Sequence, residues 1–242
     1  VQAGDTVITA RRFVVATGSA PFVPPIPGRE DVTVHTNETI FELREKPDHL
    51  LVIGGGPIGL EMAQAHRRLG SEVTVIEGAK AMGKDDPELA AIVLDKLRAE
   101  GIEIVEGAQA EKISRDGDKI TVHTPQGDFT GSHLLMAVGR KVNVENLDLD
   151  KAGVEWDRRG VKVGANLRST NKRVYAVGDA AAGLQFTHVA GYHAGVVIRS
   201  MLLGLPAKAS TAHIPWATYT DPELAQVGLT EAEAREQHGD RL

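Results

Sequence analysis

At 242 residues the chain is long enough for one to two domains, taking roughly 100–200 residues for each. Apolar side chains make up 42% and charged ones 25%, a globular balance, and no apolar run approaches the ~20 residues needed to span a bilayer. The net charge is −6 with the basic residues scattered, which argues against a nucleic-acid partner, and the absence of cysteine excludes any disulfide, thiolate ligand or thiol nucleophile from these residues.

In chain order, residues 5–16 alternate and then run apolar, as two short strands do. The stretch 16–31 holds Pro21, Pro24, Pro25 and Pro27, a density that forbids helix and marks a crossing between domains. A short helical segment is expected near Thr36–Glu45. A strand–helix–strand pattern follows: HLLVI (49–53), then a helix over 57–70 with Pro57 in its first turn and Gly70 as its stop, then EVTVIE (72–77). Asp85 and Asp86 before Pro87 open a second helix to about Glu100, and IEIV (102–105) reads as a third strand. Residues 108–136 read as an antiparallel meander with turns at Asp116–Asp118 and Pro125–Gly127. Beyond Val138 come a polar connector, a strand over 173–179 and a long helix from Thr187 to Leu203. From Ala209 there are two strand-like runs, then a helix opened by the capping-box pair Thr230 and Glu233.

The strongest single pattern is Gly54-x-Gly56-x-x-Gly59 between the first strand and its helix. Gly54 permits the tight turn, Gly56 leaves room for backbone to approach a pyrophosphate, and Gly59 lets helix and strand pack closely. Phosphates then lie at a helix N-terminus, where free N–H groups and the dipole favour anions. Glu77 ends the next strand, 23 residues after Gly54, and completes a dinucleotide-binding βαβ unit. Its carboxylate suits the two hydroxyls of an adenosine ribose and opposes a 2′-phosphate, favouring NAD over NADP, although Lys80 lies close in sequence. The pattern alone leaves NAD and FAD open. The nine histidines lack close-paired metal spacing, His188 and His193 being five apart, so no metal site is expected and these two are read as structural or solvent-facing.

Four ordered stretches, 14–28 (VVATGSAPFVPPIPG), 52–64 (VIGGGPIGLEMAQ), 137–149 (AVGRKVNVENLDL) and 174–197 (VYAVGDAAAGLQFTHVAGYHAGVV), resemble the pyridine nucleotide–disulfide oxidoreductases, the group of dihydrolipoamide dehydrogenase, glutathione reductase and mercuric reductase. A fifth, 219–234 (YTDPELAQVGLTEAEA), is similar to the opening of that family's interface domain. The resemblance implies an α/β fold of Rossmann-like, three-layer FAD- and NAD(P)-binding domains with the start of an α+β dimerisation domain. Its expected segments are 1–45 and 138–208 for the flavin domain, 46–137 for NAD and 209–242 for the interface. It implies NAD on Gly54, Gly55, Gly56, Pro57, Ile58, Gly59, Glu61 and Glu77, with Ala110 and Gly139 lining the rest. Glu61 resembles the catalytic carboxylate that sits beside the nicotinamide and pairs with a lysine near the flavin, which belongs to a segment absent here. FAD is implied at Thr17, Gly18 and Ser19, at Asp179 along the ribityl chain, and at the turn Gln185, Phe186, Thr187 and His188. Val142 departs from the family pattern, which has proline after G-R-x. The first flavin-binding βαβ unit and the C-x4-C disulfide are expected upstream of Val1, and the His–Glu acid–base pair downstream of Leu242.

The expected activity is hydride movement between NAD(H) and flavin and on to a small or protein-bound disulfide substrate, in a cytoplasmic homodimer without membrane or nucleic-acid partners. Two alternatives stay open: a transhydrogenase of the same fold without the redox disulfide, and a non-catalytic NAD-binding fragment.

Overall fold

The computed structural model describes Val1–Gly239, so the last three positions of the expected 209–242 segment lie outside the described residues. The chain opens with β1 (Gln2–Ala3) and β2 (Thr6–Val7), an exposed antiparallel pair, followed by β3 (Phe13–Val15) and β4 (Ser19–Pro21). After β5 (Val34–His35), the expected helix at Thr36–Glu45 reduces to a 3-10 turn, Ile40–Glu42. Ile40 is its one buried anchor and Phe41 is 72% exposed, so the segment has no apolar stripe to dock.

Next come β6 (His49–Ile53), α1 (Pro57–Arg68), β7 (Glu72–Ile76), α2 (Pro87–Ala99) and β8 (Glu103–Val105), as the pattern predicts. Both helices start on a proline, whose missing N–H costs nothing in a first turn. α1 buries Gly59, Leu60, Ala63 and Gln64, and α2 buries Ala90, Val93, Leu94 and Leu97, each a single stripe. β9 (Lys112–Asp116), β10 (Lys119–Thr124) and β11 (Gly127–Gly131) form the antiparallel meander. β12 (His133–Met136), expected within that meander, instead runs parallel between β5 and β6. Leu134, Leu135 and Met136 are consecutive and buried, the signature of a strand covered on both faces rather than of an alternating meander strand.

The remaining elements are β13 (Arg140–Val142), β14 (Trp156–Asp157), β15 (Gly160–Val161), β16 (Val174–Ala176), α3 (Thr187–Met201), β17 (Trp216–Thr218), β18 (Leu224–Gln226) and α4 (Glu231–His238). The expected strand over 173–179 is shorter because Gly178, at φ 59°, turns the chain into a 3-10 turn over Gly178–Ala181. α4 carries the expected capping box, with the Thr230 side chain and the Glu233 side chain each bonded to the other's backbone N–H.

Two compact units result. One comprises Val1–Ala20 with Arg140–Ile214, and the other Pro21–Gly139 with the chain from Pro215. In the second, a parallel sheet of order β5-β12-β6-β7-β8 separates two cores. Leu50, Val52 and Leu135 pack with Leu60, Ala63, Val93 and Leu97 of the helices on one face. Leu51, Ile53, Leu134 and Met136 pack with Ile113, Ile120 and Val122 of the meander on the other. Residues 21–45, expected with the first segment, pack here because Ile26 joins the meander-side core and β5 takes the edge of the sheet. The chain from Pro215 also packs here, with Leu224 in the helix-side core. In the first unit β3 runs parallel to β16, and Tyr175, Val161 and Val142 form a core with Val196 and Val197 of α3. Val142, where the family pattern has proline, is buried there at 4% exposure.

Candidate functional site

The turn between β6 and α1 is built by three glycines under different constraints. Gly54 has φ 114°, a region L side chains avoid, and a Cβ on it would lie 2.4 Å from the Ala137 carbonyl oxygen. A Cβ on Gly59 would lie 2.0 Å from the Gly54 carbonyl oxygen, so only glycine lets α1 sit this close to its strand. Gly56 is the reverse: at φ −84° and ψ −179° it is extended, and a Cβ there would meet nothing within 4 Å. It is also the α1 N-cap, with no side chain bonded to the helix's first amides. Pro57 contributes no N–H, leaving the amides of Ile58 and Gly59 at a positive helix end beside open space. The cradle thus fits an anion approached by backbone.

Glu77 closes this turn from the end of β7. Its Oε2 accepts the Gly55 N–H at 2.6 Å and its Oε1 accepts the Ala79 N–H at 2.8 Å. The carboxylate therefore fixes both flanking loops while each oxygen keeps acceptor capacity for a further donor. Lys80 is exposed on the same loop. Ala110 is buried at 7% in the meander-side core, just past Ala108, whose N–H bonds the Glu77 carbonyl at 2.8 Å. Gly139, at φ 125°, follows the Ala137–Val138 stretch that backs Gly54.

Glu61 sits one turn into α1. Burial pushes its carboxyl above the usual glutamate range, and the Tyr219 N–H, donating to Oε1 at 2.9 Å, pulls it partly back. Asp85, on the loop before α2, is likewise raised by burial, with the Trp216 side chain bonded to it. Neither Tyr219 nor Trp216 was suggested by the sequence, because nothing in their local pattern says which helix they meet.

The residues expected at the flavin belong to the other unit. Ser19 Oγ accepts from Arg140 Nε at 2.6 Å and donates to Asp179 Oδ2, while Arg140 Nη2 donates to the Ser19 carbonyl at 2.7 Å. Thr17 and Asn143 exchange side-chain and backbone bonds, and the Asn143 N–H reaches the Gly18 carbonyl at 2.9 Å. Gly18 has φ 65° with open space at its Cβ position. Asp179 follows Gly178, whose N–H donates to His193 Nδ1 at 3.2 Å. His193 is buried, which lowers its pKa, and its Nδ1 is the acceptor of this bond. Gln185 and Phe186 lead into α3, which has Phe186 as N-cap, Thr187 as its first residue and no side-chain cap. The Phe186 and His188 rings stack at 5.4 Å. A short acid and an uncapped helix start are suited to hydroxyls and to negative charge, as a flavin presents. Arg140 and Asn143 were missed in sequence, where a lone arginine after glycine and one asparagine of a polar connector carry no spacing signal. Among the described residues no group of three His, Asp or Glu is placed to hold a metal ion, and no helix is long and apolar enough to cross a membrane.

A glycine cradle at the carboxyl edge of a parallel sheet, closed by an acid just past the next strand, defines the class of dinucleotide-binding α/β proteins. The chain belongs to the pyridine nucleotide-disulphide oxidoreductase family, which it matches over residues 1–194, and it matches that family's dimerisation domain over residues 214–241. It is 39% identical to a mercuric reductase of Bacillus cereus across 98% of this chain and 38% of that protein. It is 31% identical to a dihydrolipoyl dehydrogenase of Bacillus subtilis (strain 168) across 98% of this chain and 52% of that protein. Among solved structures it resembles the HOCl-induced flavoprotein disulfide reductase RclA of Escherichia coli in its Cu(II) complex, with a TM-score of 0.90 at 31% identity over 95% of this chain and 54% of that one. The chain thus spans about half the length, or less, of the proteins it matches.

Proposed function

We propose that the chain is the central part of an FAD-dependent pyridine nucleotide–disulfide oxidoreductase that acts as a homodimer in the cytoplasm, with chemistry like that of dihydrolipoamide dehydrogenase or mercuric reductase. When bound, NADH and FAD supply the redox chemistry, hydride leaving the nicotinamide for the flavin and the electron pair passing on to a disulfide-type substrate. The observation that carries this reading is the open Gly56 position held between two glycines that tolerate no side chain. Backbone amides after Gly56 bind the pyrophosphate, with Gly54, Gly55, Pro57, Ile58 and Gly59 shaping the turn. Glu77 receives the adenosine ribose and selects NAD over NADP. Ala110 and Gly139 line the rest of the site, and Glu61 orients the nicotinamide end. In the other unit Thr17, Gly18 and Ser19 hold FAD together with Asp179, and the positive end of α3 at Gln185–His188 favours charge on the reduced ring.

The test is anaerobic addition of NADH to the intact protein. Bleaching of the flavin absorbance band is expected, faster with NADH than with NADPH. NADH binding without bleaching would overturn the assignment and leave a nucleotide-binding module.

A further inference from the structure

The loop that leads from Glu77 toward α2 is held from two sides. On one it meets the glycine turn: Glu77 Oε2 accepts the Gly55 N–H, and the Met82 N–H donates to the Gly55 carbonyl at 2.9 Å. A Cβ on Gly55 would lie 2.9 Å from the Ala81 Cβ, so the loop rests directly on the cradle. On the other side it meets the end of β8. The Glu77 N–H reaches the Val105 carbonyl at 2.8 Å, and the Gly107 N–H donates to the Ala79 carbonyl at 2.9 Å. Between these two backbone bonds stands Glu106, whose Oε1 accepts the Ala81 N–H at 2.9 Å. Arg98, in the last turn of α2, donates to the other carboxylate oxygen at 3.2 Å. Gln126 Nε2, from the turn between β10 and β11, donates to the Glu106 carbonyl at 2.8 Å. Glu106 is thus tied to α2 and to the meander while it grips the loop. Among the described residues no other side chain from outside the loop bonds the backbone of residues 78–82.

We infer that Glu106 is a positioning residue for cofactor choice, gripping the loop at Ala81 so that the Ala79 amide stays on the Glu77 carboxylate. The inference rests on the proposed role of Glu77 at the adenosine ribose. Its physical basis is that a carboxylate selects a 2′-hydroxyl over a 2′-phosphate through its position as well as its charge. One of the two amides that aim Glu77 belongs to Ala79, which is exposed, and the loop is buried again only at Ala81 and Met82. Lys80, also exposed, lies between Ala79 and Ala81. Freeing the loop at Ala81 loosens the Ala79 bond to Glu77 and gives the Lys80 ammonium room to follow a 2′-phosphate. Both changes act in one direction, away from NAD and toward NADP. Glu106 also carries a negative charge of its own, and glutamine at this position separates the two effects: its amide oxygen still accepts the Ala81 N–H, without the charge.

The experiment uses the intact flavoprotein with ADP-ribose and 2′-phospho-ADP-ribose, which lack the nicotinamide and leave the flavin oxidised. Their Kd values are measured by calorimetry for the parent, Glu106→Ala, Glu106→Gln and Arg98→Met, with hydrogen exchange at Ala79 and Ala81 followed alongside. In Glu106→Ala the preference for ADP-ribose is expected to fall about tenfold, the scale of one hydrogen bond. Exchange should quicken at Ala81, which loses its acceptor, and also at Ala79, whose acceptor Glu77 is still present. Glu106→Gln should stay near the parent on both readouts. A Glu106→Gln protein as unselective as Glu106→Ala would show that charge alone acts on the phosphate, and would overturn the inference. Quickened exchange confined to Ala81, or a preference kept in Glu106→Ala, would reduce Glu106 to a structural role and overturn it too. If Glu106→Ala does not fold, Arg98→Met, at a side chain 40% exposed, frees the Glu106 carboxylate from α2 and carries the same readouts. Glu77→Ala separates the two claims. A preference that survives it removes Glu77 from the ribose site, while Ala79 exchange in Glu106→Ala still decides whether Glu106 holds the loop.

Discussion

Replacing Gly56 with valine separates binding from folding. The backbone there, at φ −84° and ψ −179°, suits any residue, and a Cβ meets nothing within 4 Å. The fold should lose about 1 kcal/mol at most, the difference between glycine and a poor N-cap residue. The same side chain occupies the space through which a pyrophosphate reaches the amides of Ile58 and Gly59. Two charge-assisted bonds at about 1.5–3 kcal/mol each amount to about 3–6 kcal/mol, or a 10²- to 10⁴-fold weaker Kd. Gly59→Ala should do the opposite: its Cβ, 2.0 Å from the Gly54 carbonyl oxygen, forces α1 off the sheet at a cost of about 1–3 kcal/mol or more. Protein fluorescence quenching by NADH and thermal melting together distinguish the two. A Gly56→Val protein that binds NADH with parental affinity refutes the cradle, and so does one that melts as early as Gly59→Ala.

Glu77→Arg should reverse a preference for NADH into one for NADPH and weaken both, because the Gly55 and Ala79 amides lose their acceptor; equal affinities in the parent, by the same titration, would show that Lys80 outweighs Glu77. Glu61 has a folded-state pKa above its unfolded value, so the folded state holds the extra proton between the two, and its contribution to stability falls as pH rises through that window. Glu61→Gln should therefore raise the melting temperature at neutral pH and flatten its decline from mildly acidic to neutral pH; an unchanged slope counts against the buried carboxyl. The 242-residue chain should bind NADH yet lose added FAD on desalting, since β3 pairs with β16 alone among the described strands and leaves Val14 42% exposed, where burial of a valine is worth about 1.5–3 kcal/mol. Stoichiometric flavin absorbance after desalting would refute this.

The parallel unit was legible because its signals are local. Pro57 and Pro87 mark helix starts, Gly70 a stop, and the apolar runs at 49–53 and 72–77 can only be strands covered on both faces. β12 was misplaced for a matching reason. Its four residues follow an antiparallel hairpin closely, and only the position of β6, 80 residues earlier, decides that Leu134 and Leu135 enter the sheet in parallel register with Leu51 and Val52. Residues 21–45 pack with the parallel unit, and proline density shows that a crossing exists, not at which end of the stretch it falls.

The site divides along the same line. Glycines report backbone geometry within a few residues, so the sequence assigns Gly54, Gly56 and Gly59 distinct tasks, and the backbone constraints at the three differ from one another. Carboxylates report nothing until their partners are known. Glu77 and Glu61 are both glutamates near the same turn, yet one accepts two amides from adjoining loops, while the other is raised by burial and takes one amide from a segment 158 residues away. Their difference is made by which backbone N–H groups arrive, and a segment such as Tyr219–Asp221 arrives there because Gln64 offers a buried amide with both a donor and an acceptor to match. A glutamine on the buried stripe of an amphipathic helix is thus the one local clue to this contact: left without partners it would cost about 1–3 kcal/mol, so its presence demands a polar segment opposite.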